Sequence, residues 1–515
     1  MKTLRNSLFI AAMIIGVYSC DNDDDNQNPT TPVDTSVNFQ YKSTINVGGE
    51  GSAEISAFDP TTNKLFTVNT ELDQISIYDI SDVEAPVAQT PIDVSGFGAP
   101  NSVAVYGGKL AIALEANNKQ APGKISVYNT ADSSLANEYT VGSLPDMVTF
   151  TKDGNYILVA NEGEPNDDYT VDPDGTVSII DLSSNTVTTL DFSSFNSQEA
   201  TLESQGFRVF GPNADLAADV EPEYITVSED SQYAWVALQE NNGIAKVNIQ
   251  TKTIEAIYPL GFKDYSISGN AIDASDRDNE NALKTWPVYG IYQPDAIVAV
   301  NINGTDYVIS ANEGDSREYE GTPGYVGEDR IKDLTLDETA FPTSENYQDD
   351  ANIGRLKVAL DLGDTDGDGD YDKLYNYGAR SFSVWSADGA LLYDSGNEIS
   401  TRVLADTPSR FNWDWEDNAT DDRSDDKGPE PEMVEVLNIA NQRYILFVGL
   451  ERNSQVMVYD ITNPTAPQFL QFLQRGSDFA PEGIVSVSAD ESPTGKALVI
   501  ISYEDSGTVS IYEND

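Results

Sequence analysis

The sequence predicts an all-β fold closing as a seven-bladed β-propeller, and three observations predict it. Short runs of alternating apolar residues, cut by Gly, Asp and Asn turns, fill the chain beyond its first forty or so residues, with no long amphipathic helical pattern. The runs group into units of three or four strands, and seven units recur in register at a spacing of about 40 to 75 residues. The last unit stops one strand short, as in a ring that borrows its final strand from the other end of the chain.

Residues 1–19 hold Lys2 and Arg5, the apolar run LFIAAMIIGV, too short to span a bilayer, and then YS before Cys20. This is the form of a bacterial lipoprotein signal peptide, with Cys20 as the lipidated residue. Residues 20–36 are acidic, polar and proline-bearing, and are expected to be a disordered tether. The acidic run directly behind Cys20 resembles the surface-export signal of Bacteroidota lipoproteins. That resemblance implies an outer-membrane lipoprotein facing the cell exterior, held to the membrane by its N-terminal lipid.

The propeller is expected over 37–515. The segment NFQYKSTINV supplies the missing fourth strand of the last unit and clasps the ring shut. First strands read EISAFD, NSVAVY, DMVTFT, EYITVS, DAIVAV, EMVEVL and GIVSVS; second strands run from LFTVNTE to LVIISYED; third strands run from QISIYDI to TVSIYEN.

The strand ends carry a further repeat. First strands begin at Glu54, Asn101, Asp146, Glu223, Asp295, Glu432 and Glu482, mostly directly after a proline, and second strands end at Glu71, Glu115, Glu162, Glu240, Glu313, Glu451 and Glu504. A hairpin sets the start of its first strand beside the end of its second. Both sets therefore crowd onto one end of the ring near its axis, as an acidic face suited to further metal ions. Crowded carboxylates stay ionised only where cations or hydrogen-bond donors compensate them. Arg317, Arg380 and Arg452 stand near these strand ends. The tetrapeptide ANEG, at 160–163 and 311–314, puts Asn, Glu and Gly at the same place in two units.

Unit five carries a long insertion, 316–378, ending in GDTDGDGDYDKLYNYG. There Asp364, Asp366, Asp368, Asp370 and Asp372 alternate with Thr, Gly and Tyr, and Gly369 stands at the sixth place counted from Asp364. This is the first half of a calcium loop, where alternate carboxylates converge on one ion and glycine permits the sharp turn. Tyr375 replaces the bidentate Glu expected at the twelfth place, so the ion needs a ligand from elsewhere. Asp361 and the acids of 418–432 are the candidates. That stretch mixes Asp421, Asp422, Asp425, Asp426, Glu430 and Glu432 with Arg423 and Lys427, the mixture wanted where metal ions and basic side chains together hold an anion.

Composition narrows the chemistry. With 29 basic and 86 acidic residues the net charge is −57, which repels nucleic acid. Histidine is absent and Cys20 is the single cysteine. His-based nucleophile systems and His-ligated zinc are thereby excluded, leaving oxygen-ligated ions, calcium first.

Four motifs in order, VANEGEPNDDYTVDPDGTVSIIDL, SANEGDSREY, GDTDGDGDYDKLYNYGARSFSVW and RSDDKGPEPEMV, resemble the choice-of-anchor I family. That bacterial group is similar to mesenchyme-specific cell-surface glycoproteins, and its members are often labelled alkaline phosphatase-like. The resemblance implies a propeller, an extracytoplasmic location and a variable anchor, here the lipid on Cys20; it brings no catalytic residue. Two functions are expected to compete. One is a calcium-binding surface module working in binding or assembly with outer-membrane protein partners. The other is a calcium-dependent phosphohydrolase in which Arg317, Arg380 or Arg452 grips the phosphate.

Overall fold

The computed structural model describes residues 34–515 apart from Asn213, Glu320, Thr322 and Pro323. The expected signal peptide, Cys20 and almost all of the tether lie outside the described residues. Ser36–Asp515 form one compact unit.

Seven antiparallel sheets, one for each repeat of the sequence, are built from the predicted strands in chain order. They start at Ser56, Pro100, Pro145, Ile225, Ile297, Pro431 and Pro481. The first strand of each blade packs against that of the next, and the seventh returns to the first, so the ring is closed. Alternation explains the strands. In Lys64–Asn69 and Tyr156–Asn161 nearly every side chain is buried, because a central strand is covered on both faces by neighbouring blades. The ends of the third strands repeat an Asx turn, Asp79 accepting from Ser81 and Asp181 from Ser183.

The closing strand forms where expected. Phe39–Asn46 pairs antiparallel with Thr508–Asn514, from Phe39 opposite Asn514 to Asn46 opposite Thr508. Phe39 is buried edge-on against Phe447, with ring centroids 5.2 Å apart. Its backbone N–H donates to the Gln471 side chain and its carbonyl accepts from it, both at 3.0 Å, which ties the closing strand to the outer strand of blade 6.

Blade 5 is interrupted as predicted. Thr305–Asn312 pairs directly with Ser381–Ser386, and the excursion between them folds over one end of the ring. It does not fold alone. The segment Phe262–Ile291, between blades 4 and 5, joins it in a sheet where Tyr289 pairs in parallel with Tyr375. Tyr265 and Val288 from the first segment share a core with Ile331, Phe341, Leu356 and Leu374 from the second. A nine-residue helix, Glu398–Asp406, links blades 5 and 6 and buries Ile399 and Val403.

Candidate metal and anion sites

The acidic face rests on a repeated backbone device. In blades 3, 5, 6 and 7 the residue before the leading proline is left-handed: Leu144 (φ 46°), Gln293 (41°), Glu430 (49°) and Ala480 (57°). None is glycine, so each conformation is strained, by about 1–3 kcal/mol. Each carbonyl is met by a backbone N–H at the end of the blade's second strand: Glu162, Gly314, Glu451 and Glu504, at 2.8 to 3.1 Å. The turn thereby sets the acid after the proline beside the acid ending the next strand. ANEG adds its own constraint. Asn161 and Asn312 donate to Ser178 and Ser383 on the third strand, and a Cβ at Gly314 would run into the Gly378 backbone.

The predicted ring acids do come together. Glu54, Asp146, Asp295 and Glu482 line a cavity of about 290 Å³ with Asn101 and Tyr224. Burial, then the nearby Asp295 and Glu164 charges, push Asp146 up to about 7. Burial raises Glu54 to about 8 in spite of the Thr70 hydroxyl. Glu223 and Glu162 are half-buried beside Glu240, and burial with the neighbouring carboxylate charges raises both well above the carboxylate range. Glu432, Glu313 and Asp295 each bring a carboxylate oxygen within 4.8 Å of the others. Burial and the facing acids raise Glu482 and Glu432 likewise.

Beside this mouth, under the insertion, lies a polar cavity of about 380 Å³ where Lys357, Arg423, Lys427 and Arg452 meet Glu164, Glu240 and Asp426. Behind the lining, Glu430 is fully buried and paired with Arg423 (2.8 Å), Lys427 (3.3 Å) and Arg452 (3.4 Å). Against burial, Lys427, Arg423 and Arg452 together hold its carboxyl well below the usual range.

The three predicted arginines diverge. Arg317 is buried between Asp219 (3.0 Å) and Glu221 (2.8 Å). Arg380, itself left-handed, spends its guanidinium on the backbone carbonyls of Asp273, Ser424 and Asp426, locking three excursions together. Arg452 reaches Glu430 and Glu451 through Nε and lines the cavity, and among the described residues its Nη atoms make no hydrogen bond.

In the aspartate run, Asp364, Asp366 and Asp372 bring oxygens within 4.8 Å of one another, and Asp372 and Asp370 do the same with Asp337. Asp368 joins neither group and accepts from the Asp370 N–H. Gly367 and Gly369 donate to Asp364, which winds the loop. The like charge of Asp368 is the main cause raising the Asp366 carboxyl. Three of the suggested outside ligands are committed elsewhere: Asp361 to Arg208 at 2.8 Å, Asp425 to Arg330 and Arg355, and Asp426 to Arg423 and Lys357. Asp337 stands beside the run instead. It is carried to the loop by backbone pairing of Thr335 and Asp337 with Tyr371, a contact without local signature in the sequence.

Known proteins resemble the chain in structure or in sequence. Among solved structures, the hydrazine synthase of Kuenenia stuttgartiensis superposes with a TM-score of 0.49 at 11% identity, covering 90% of this chain and 96% of that one. The β-propeller domain of Myceliophthora thermophila Cps50 (Swd1) gives 0.47 at 7% identity, covering 93% and 100%. Gigasin-3a of Magallana gigas is 31% identical over 190 residues, 32% of this chain and 66% of the relative, so the chain spans just under two thirds of it. The model of the choice-of-anchor I domain matches residues 54–464, a span that includes the four motifs and most of the ring. The chain belongs to the choice-of-anchor I family.

Proposed function

We propose that this protein is a calcium-binding surface propeller, anchored at the outer membrane through a lipid on Cys20 and facing the cell exterior, whose insertion-covered end serves as a binding or assembly module for outer-membrane protein partners. One observation carries the calcium part: two three-carboxylate groups share Asp372, one within the loop and one reaching Asp337. The donors are hard oxygens, as calcium requires. Among the described residues none of the five aspartates has an ion pair with Lys or Arg, so their repulsion calls for a cation. Calcium there would join the start of the insertion to its end and hold it over the mouth.

Calorimetric titration of calcium into the EDTA-stripped protein, with limited proteolysis of 316–378, tests this. Binding that protects the insertion and disappears in Asp366→Asn/Asp372→Asn is expected; equal binding in that variant refutes the loop as the site. Cys20→Ala should move the protein from the membrane fraction to the soluble one, and a variant still membrane-bound sinks the anchor.

A second function, calcium-dependent phosphohydrolysis, is favoured by the roofed cavity, where the Arg452 Nη atoms offer donors to an oxyanion. Arg317 and Arg380 are already occupied by protein partners, so Arg452 is the residue to vary. Phosphomonoesterase and phosphodiesterase assays on the calcium-loaded protein decide it. Turnover abolished in Arg452→Met supports hydrolysis, and no turnover on either substrate class leaves the binding module.

A further inference from the structure

Two sets of three carboxylates meet at the mouth of the ring, and they differ in what neutralises them. Glu313, Glu430 and Glu451 converge within 4.8 Å, but Lys427 and Arg452 already stand among them. That set is complete as a salt-bridge network. Asp295, Glu313 and Glu432 converge as closely, and among the described residues the single cation touching them is Lys427, on Glu313. Glu432 is 9% exposed, and its Oε2 is buried with no hydrogen-bond partner. A buried carboxylate oxygen left unpaired bears its desolvation penalty in full. The acids facing it from neighbouring blades, Glu482 among them, add repulsion.

A proton shared between Asp295 and Glu432 satisfies one contact and brings no positive charge to offset the facing Glu313 and Glu482. A metal ion satisfies all three acids at once. Oxygens on opposite sides of a calcium ion stand about 4.8 Å apart, at about 2.4 Å per bond, so three oxygens within that span can share one ion.

We propose that the mouth of the ring is a second divalent-cation site, independent of the insertion loop, with Asp295, Glu313 and Glu432 as ligands and the Lys427 ammonium as its built-in competitor. The residues come from three separate strand ends, so a bound ion bridges blades 5 and 6. Because Lys427 sits on Glu313, cation entry displaces that ammonium toward the adjoining polar cavity. The loop site has no such competitor, and the two sites therefore respond differently to the loss of Lys427.

The experiment is terbium luminescence, excited through tyrosine, with calcium calorimetry as a count, on the EDTA-stripped full-length protein. Tyr224 lies in the same cavity as Asp295 and is a suitable donor. The variants are Asp364→Asn/Asp366→Asn/Asp372→Asn for the loop, Asp295→Asn/Glu432→Gln for the mouth, and Lys427→Met. The loop variant should keep one ion that the mouth variant loses. Lys427→Met should tighten that ion by at least about tenfold, since a competing unit charge within about 4 Å is only weakly screened at such a site. A misfolded variant does not gain affinity, so this arm stands even if the mouth variant fails to fold.

A mouth variant that binds as many ions as the parent, with unchanged affinity, overturns the proposal and leaves the loop untouched. A loop variant that binds none overturns it too. Loss in the mouth variant without loss in the loop variant upholds the mouth and removes the loop. Unaltered affinity in Lys427→Met refutes the competition.

Discussion

Arg317 offers the sharpest test of how the insertion is fastened. Its side chain is 2% exposed, and its guanidinium contacts Asp219 at 3.0 Å, Glu221 at 2.8 Å and the Asp219 carbonyl at 2.7 Å, with the Phe210 ring centroid 4.6 Å away. Asp219 and Glu221 have side-chain exposures of 0% and 5%, so neither can turn to water if the arginine is lost. Removing one member of a buried pair leaves its partner's charge uncompensated, at about 3–5 kcal/mol. Arg317→Met keeps most of the stem's packing and should cost that much. At a slope of about 3 kcal/mol/M the urea midpoint falls by roughly 1 to 1.7 M. In the control Arg317→Met/Asp219→Asn/Glu221→Gln the charges vanish together, and stability should return to within about 2 kcal/mol of the parent. The Phe210 and Gly211 backbone N–H groups donate to different oxygens of the Asp219 carboxylate, so Asp219→Asn keeps one of these two bonds and loses the other, which is part of the remaining cost. Urea unfolding followed by tryptophan fluorescence measures both. A single variant within about 1 kcal/mol of the parent, or a triple variant no better than the single, would refute the assignment of Arg317 as a structural clasp.

Two further outcomes follow from the fold. Phe39→Ala removes a fully buried ring from the closing strand and should cost about 3–5 kcal/mol, read by thermal unfolding and by new proteolysis at the chain's N-terminal strand; an unchanged midpoint would mean that the ring does not depend on this strand. In EDTA, Glu54 (about 8) and Asp146 (about 7) are raised, so the folded state keeps protons that the unfolded chain gives up. Their contribution is complete below about pH 4 and is lost as pH rises through 7 to 8, so urea stability in EDTA should fall by a few kcal/mol between about pH 5 and 9, and a flat or rising profile contradicts it.

The ring was legible because each blade repeats the same physical requirement. A strand buried on both faces needs a continuous apolar run, and seven such runs in register have few ways to close. The acidic mouth was legible for the same reason: Asp146, Asp295, Glu432 and Glu482 occupy equivalent places after a proline. What stayed hidden depends on contacts between non-equivalent parts. The partner of the aspartate loop, Asp337, arrives by tertiary pairing with Tyr371, and the second half of the insertion's core comes from 262–291, a segment resembling an ordinary connection. Arg317 and Arg380 carry the same charge as Arg452, yet burial commits the first two to structure. A residue type and a position near a strand end do not reveal which carbonyl or carboxylate waits opposite.

The pairing of Phe39–Asn46 with Thr508–Asn514 has a consequence for biogenesis. Asn38 and Asn514, which hydrogen-bond to each other, are 476 residues apart in the chain. Until the last strand has been synthesised, the first strand and the seventh blade's Leu498–Tyr503 each keep a bare backbone edge, and the ring stays open there. Such edges invite pairing between chains, and a closure of this span is slow. The net charge of −57 acts throughout that interval, since every unfinished ring repels every other. The acidity that arms the mouth of the finished propeller is thus also its protection while it is still open.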